Sequence, residues 1–120
     1  MSASAFSLSI AVPADGFEVT AGLPIMGGLN RDMHFFCPKC LSWTFTRPVG
    51  MDWFVNLRVP VLDDSYWVEP FVETYTAEKL PWASTPAKHS FEGVPEMSTY
   101  EELVREFSVE GKRPPLSNRT

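Results

Sequence analysis

Hydrophobic and polar residues alternate along the first part of the chain, which predicts short β-strands with one buried face. Apolar side chains occupy every second position in residues 6–12 and again in residues 17–21. The sequence Ala-Asp-Gly at residues 14–16 lies between the two runs and is typical of a turn. The pattern therefore predicts a β-hairpin at the start of the chain.

Four further runs of bulky residues predict strands in residues 33–36, 41–46, 53–59 and 71–76. Residues 23–31 contain Pro24 and a Gly-Gly pair, so they are predicted to form a loop. Residues 77–95 hold three prolines and are predicted to be an ordered loop without regular structure. Six short strands indicate a mostly β protein.

One helix is predicted near the end of the chain. Apolar residues lie at i, i+3, i+4 and i+7, a spacing that places them on one helical face: Tyr100, Leu103, Val104 and Phe107. Ser98 and Glu101 have the spacing of a capping box, and Gly111 is predicted to end the helix. Residues 1–111 are predicted to form a single domain, and residues 112–120 a flexible tail.

The charge of the chain narrows the classes of partner. Fifteen acidic residues against ten basic ones give a net charge of −5 and a pI near 4.9. This sign opposes binding to phosphate backbones, so no nucleic-acid partner is expected. No apolar run approaches the roughly 20 residues that span a bilayer, and the first residues lack the pattern of an export signal. We therefore expect no membrane partner and a cytoplasmic location.

Candidate chemistry is concentrated in the sequence Cys37-Pro38-Lys39-Cys40, which contains both cysteines of the chain. Thiolates at this spacing can bind one zinc ion, although a structural zinc site needs four ligands. A redox dithiol and two inert thiols are the alternatives. The missing ligands would come from water, from a second copy of the chain, from His34 or from His89.

The adjacent carboxylates Asp63 and Asp64 are candidates for acid–base or metal-binding groups. Neighbouring residues in extended backbone point to different sides, so a solvated turn or a capping role is the better interpretation. The four tryptophans and nine phenylalanines are assigned to packing, as in most domains of this size.

Several short sequences together carry a resemblance to a known family. They are Ser4-Ala5-Phe6, residues 22–28, Phe36-Cys37-Pro38-Lys39-Cys40, Leu62-Asp63-Asp64 and Leu80-Pro81-Trp82-Ala83. With these, the chain resembles the family of glutathione-dependent formaldehyde-activating enzymes, the GFA family. The resemblance implies an Mss4-like fold of folded antiparallel sheets, with a zinc-knuckle hairpin and one C-terminal helix.

The resemblance also implies two zinc sites, and this chain matches only part of one. Cys37 and Cys40 match the downstream cysteine pair of the family's structural site. The upstream C-x-C and C-x-C-x-x-C motifs have no counterpart, which predicts a fragment or a natural short form. We therefore expect carbon–sulfur lyase ancestry, acting on a glutathione–formaldehyde adduct, with catalysis impaired or absent and the structural zinc site incomplete.

Two further interpretations follow from this expectation. The chain could be a non-catalytic zinc-binding β module that acts in protein association, including association with itself. It could also be a thiol redox protein, in which the two cysteines interconvert with a disulfide. Arg47 and Arg58 are the basic residues best suited to the carboxylates of a glutathione-derived ligand, but surface arginines without a ligand are the expected outcome.

Overall fold

A computed structural model describes residues 4–28 and 33–116 of the chain. Its internal contacts divide the chain into two compact units, residues 1–63 and residues 64–120. The single domain expected over residues 1–111 stays a prediction.

The first unit contains a five-stranded antiparallel sheet. Its strands are β1 (Ser9–Pro13), β2 (Ile25–Gly27), β3 (Met33–Phe36), β4 (Trp43–Arg47) and β5 (Phe54–Arg58). Their order across the sheet is β1-β5-β4-β3-β2. Together with one C-terminal helix this confirms a mostly β fold, whereas the Mss4-like arrangement stays a prediction.

The predicted hairpin at the start of the chain is wrong. β1 pairs with β5 along its whole length, from Ser9 opposite Arg58 to Pro13 opposite Phe54. Residues 14–16 form a 3-10 helix, and residues 17–21 form no strand. Alternation identifies a strand but not its partner. The predicted loop at residues 23–31 contains β2, and its residues 29–31 lie outside the described part of the chain.

Aromatic residues pack on one face of this sheet. Phe45 of β4 is only 6% exposed, and its ring lies 4.6 Å from that of Phe35 and 4.8 Å from that of Phe17. Val55 of β5 is fully buried. The alternating residues of the segment around Phe17 thus contribute a ring to the core rather than a strand to the sheet.

The second unit contains a short parallel pair, β6 (Val72–Glu73) with β7 (His89–Ser90), and the helix α1 (Met97–Glu110). β6 is much shorter than the strand predicted for residues 71–76, and β7 lies within the predicted loop. The loop is attached to β6 through Glu73, whose carboxylate accepts hydrogen bonds from the hydroxyls of Thr85 and Ser90. These bonds lower the pKa of Glu73.

The helix differs from its prediction at its start and on its face. It begins at Met97, with Glu96 as N-cap and no side-chain capping bond, so the capping box at Ser98 and Glu101 is wrong. Its end at Gly111 is confirmed, where the Gly111 amide donates to the carbonyl of Phe107. Residues 112–116 are exposed, and residues 117–120 lie outside the described residues.

Two residues of the helix carry its packing. Leu103 is buried, and the ring of Phe107 lies 5.3 Å from that of Phe71, whereas Val104 is 66% exposed. Within residues 4–28 and 33–116, no helix is long and apolar enough to cross a membrane.

Glu106 connects α1 to β7 through charged hydrogen bonds. Its carboxylate pairs with Lys88 and lies 2.8 Å from Nε2 of His89. The hydrogen bond to Lys88, and to a smaller extent the contact with His89, lowers the pKa of Glu106 from its ordinary value of 4.5. The ionised carboxylate therefore stabilises the folded state at neutral pH, and this contribution is lost as the pH falls through the lowered pKa.

We expect Glu106→Gln to lower the stability of the protein at neutral pH. The deficit relative to the native chain should shrink as the pH falls below about 4.5, first because the unfolded chain binds protons and then because the folded carboxylate is itself protonated below its lowered pKa. Urea denaturation at a series of pH values measures this. Glu102→Gln is the control, because it removes the same charge from an exposed side chain one helical turn earlier. An equal deficit for both variants would contradict the role of Glu106.

Candidate functional site

The cysteine turn, residues 37–42, connects β3 to β4, the strands that the sequence predicted at residues 33–36 and 41–46. The amide of Cys37 donates to the carbonyl of Ser42 at 2.9 Å, and the amide of Leu41 donates to the carbonyl of Cys37 at 2.8 Å. Leu41 adopts the left-handed conformation, with φ of 62°. The backbone therefore reverses tightly and places the two cysteines on the same turn.

Both cysteines are free thiols; Cys37 is half-buried and Cys40 is exposed. Sγ of Cys40 lies 3.2 Å from Oγ of Ser42. The hydroxyl and then the amide of Ser42, followed by the thiol of Cys37, lower the pKa of Cys40 from its ordinary value of 9.0. The turn therefore favours the thiolate, which is the form that binds metal ions and attacks disulfides.

A complete metal site is not found in residues 4–28 and 33–116. No three His, Cys, Asp or Glu side chains there are placed to hold one ion. The ring of His34 is bound to Thr46, and His89 pairs with Glu106 in the second unit. Two thiolates suit zinc, which takes sulfur ligands readily, but they supply half of a four-ligand site.

Asp64 has the predicted turn role. Its carboxylate accepts a hydrogen bond from the amide of Tyr66 at 3.1 Å, and its carbonyl accepts one from the indole of Trp67 at 2.8 Å. The neighbouring Asp63 is exposed. Asp64 therefore stabilises the local turn, and the described residues around Asp63 and Asp64 form no metal-binding group.

We expect Leu41→Gly to raise the free energy of unfolding of the metal-free protein by about 0.5–1 kcal/mol. Leucine in the left-handed conformation costs about 1–2 kcal/mol, and glycine relieves this strain. Part of the relief is offset because glycine has more conformational freedom in the unfolded chain. Urea denaturation measures the change. Leu23→Gly, at another exposed leucine with ordinary φ, should lower stability instead. Destabilisation in both variants would contradict strain at Leu41.

A second cluster lies on the sheet face opposite Phe45, and we call it the Trp43 cluster: His34, Trp43, Thr46 and Arg58. The β3–β4 pairing shifts register, with Phe35 opposite Phe45 but Phe36 opposite Trp43. This bulge inserts one extra residue into β4. Trp43 consequently lies on the same face as Thr46. Without the bulge, simple alternation would place Trp43 on the opposite face.

Thr46 links two rings of the Trp43 cluster. Nε1 of Trp43 donates to Oγ1 of Thr46 at 3.0 Å, and Nδ1 of His34 lies 2.8 Å from the same oxygen. When the hydroxyl accepts from the indole and donates its own proton to Nδ1, the neutral imidazole carries its proton on Nε2. Nε2 of His34 is buried and has no hydrogen-bond partner in the described part of the chain.

Arg58 is buried in the same cluster, so its predicted role as a surface arginine is wrong. Its guanidinium carbon lies 4.4 Å from the centre of the Trp43 ring, and Nη1 is 3.4 Å from Oγ of Ser9. Loss of hydration lowers the pKa of Arg58. None of the ion pairs within the described ranges includes this residue.

Arg47 lies on the other face of the sheet, against the rings of Phe17 and Phe45. The assignment of all four tryptophans to packing is also wrong in part, because Trp53 and Trp82 are mostly exposed. The sequence contains no spacing signal for the Trp43 cluster. Its members come from three strands, and a bulge brings one of them to the shared face.

Comparison with known proteins adds no relative: no family model, curated protein or solved structure matches the chain.

Proposed function

We propose that this protein is a zinc-binding β-sheet protein of the GFA type, in which Cys37 and Cys40 supply two thiolate ligands. The observation that carries the proposal is the cysteine turn, in which a tight backbone reversal holds both thiols and Ser42 lowers the pKa of Cys40. Sulfur ligands on such a turn suit a tetrahedral ion. A reducing, cytoplasmic location fits free thiols at this spacing.

In this proposal the zinc is structural and the ancestry is that of a carbon–sulfur lyase acting on a glutathione–formaldehyde adduct. The chain contains two cysteines in total, and no described group completes a catalytic metal site. We therefore propose that lyase catalysis is impaired or absent. A glutathione-derived molecule is the corresponding small-molecule partner.

The second candidate is a non-catalytic module in which another protein, or a second copy of this chain, completes the zinc site. The exposure of Cys40 favours it, since a partner's ligand can reach this thiol directly. The exposed apolar side chain of Leu41 follows Cys40 immediately and would be covered by such a partner. Two copies related by a two-fold axis through the ion would supply four thiolates.

Metal analysis under reducing conditions tests both candidates. We expect zinc to copurify with the native chain, and to fall at least tenfold in Cys37→Ser and in Cys40→Ser. Ser42→Ala keeps both thiols and serves as the control, with weaker zinc binding but not its loss. Absence of zinc from the native chain would contradict the proposal.

Native mass spectrometry and an activity assay then separate the two candidates. One zinc per monomer with turnover of the glutathione–formaldehyde adduct identifies an active enzyme and contradicts impaired catalysis. One zinc per monomer without turnover supports the impaired GFA-type protein. One zinc per two chains without turnover supports the association module.

A further inference from the structure

The Trp43 cluster contains buried polar groups that no described residue satisfies. Nε2 of His34 is buried without a partner, in a residue that is 4% exposed. Arg58, at 9% exposure, has five N–H donors, yet its one side-chain hydrogen bond in the described ranges is the long one to Ser9. Buried polar groups are normally paired, so both residues lack an expected acceptor.

The charge of Arg58 makes this lack costly. A buried charge without a counter-ion loses its hydration and gains no ion pair in return. The Trp43 ring offsets part of that loss through its contact with the guanidinium. Apart from the long bond to Ser9, the N–H groups of Arg58 have no oxygen acceptor among the described residues, so they are available for an anion.

The two unsatisfied residues are neighbours through Trp43. The His34 ring lies 5.3 Å from the Trp43 ring and perpendicular to it, while the Arg58 guanidinium lies over the same ring at 4.4 Å. Both residues also share the sheet face, because His34 pairs with Thr46, Thr46 with Asn56, and Arg58 follows two residues later. One ligand with several acceptor oxygens would satisfy them together.

We propose that the Trp43 cluster binds a small organic carboxylate. The carboxylate accepts from the edge of the Arg58 guanidinium, whose planar fork matches its two oxygens. In the tautomer in which Thr46 donates to Nδ1 of His34, a further acceptor oxygen takes the proton on Nε2. The ligand is small because both residues are more than nine-tenths buried. This site involves neither cysteine, so the inference stands apart from the zinc proposal.

Titration of the ¹⁵N-labelled full chain with sodium acetate, at ionic strength held constant with sodium chloride, tests the inference. The indole N–H signal of Trp43 should shift saturably, while those of the exposed Trp53 and Trp82 stay in place. Arg58→Gln should weaken binding at least tenfold. Arg47→Gln removes the same charge from the opposite sheet face and should change the affinity less than twofold.

A second variant keeps the test decisive if Arg58→Gln does not fold. Arg58→Lys keeps the charge but loses the planar fork, and it should bind acetate several-fold more weakly than the native chain. A native chain without a saturable shift, equal weakening in Arg58→Gln and Arg47→Gln, or unchanged binding in Arg58→Lys would each overturn the inference. Tighter binding of sulfate than of acetate would overturn the assignment to carboxylates.

Discussion

Replacing Phe45 with alanine is expected to lower the free energy of unfolding by about 3–5 kcal/mol, because it removes a buried ring and leaves a cavity. Phe45 is 6% exposed and contacts the rings of both Phe17 and Phe35. A change of this size is a large part of the stability of an ordinary small protein. Urea denaturation followed by circular dichroism measures it, and partial unfolding without denaturant is the extreme expected result.

Phe6→Ala is the matched control for Phe45→Ala. The same substitution at a side chain that is 50% exposed removes less buried surface, and we expect a loss of about 1 kcal/mol or less. Equal losses in the two variants would show that the ring cluster around Phe45 is not the main core of the first unit.

Thr46→Val should lower the free energy of unfolding by about 2–4 kcal/mol although it scarcely changes the volume of the side chain. The valine cannot bond to Nε1 of the half-buried Trp43 or to Nδ1 of the buried His34, and a fully buried group left unpaired costs about 1–3 kcal/mol. Urea denaturation measures the loss. The NMR signal of the Trp43 indole should also move, because its hydrogen-bond acceptor is gone.

Thr44→Val on the same strand is the control for Thr46→Val. Thr44 is half-buried, and its hydroxyl makes one hydrogen bond, to the carbonyl of Phe35. We expect a loss of about 1 kcal/mol or less, since only one part-buried hydrogen bond is removed. Similar losses at both positions would contradict the role of Thr46 in the Trp43 cluster.

The local sequence predicted the part of the fold that depends on neighbours in the chain. Three of the predicted strands, β3, β4 and β5, and the turn between the first two are present within one or two residues of their expected ends. The end of the helix at Gly111 was also predicted correctly. These elements carry strong signals, because strand alternation and a glycine after a helical run act within a few residues.

The predicted elements that failed did so where distant partners decide the structure. The run at residues 17–21 alternates like a strand, yet β1 pairs with β5 and leaves that run outside the sheet. Conversely, β7 lies in a stretch that contains prolines and has no alternation. It exists because the amide of His89 donates to the carbonyl of Phe71 and the amide of Phe91 donates to the carbonyl of Glu73. Local propensity is weaker than the pairing available in the folded chain.

The candidate metal site was predicted from the cysteine spacing and from the family resemblance, and the structure adds its backbone geometry. Cys37 and Cys40 lie on one turn, as expected from their separation of three positions, while Leu41 in the left-handed conformation could not be foreseen. The metal itself and its other ligands stay predictions. His34, weighed as a third ligand, is instead bound to Thr46.

By itself the sequence determined the strand and helix types, the acidic charge, and the presence of a single cysteine pair. Only the tertiary structure decided which strands pair, which face each strand buries, and that Arg58 and His34 meet around Trp43. For the Trp43 cluster the physical reason is the bulge between β3 and β4, which moves Trp43 to the opposite face of the sheet. One extra residue has that effect because side chains in a strand alternate with a period of two.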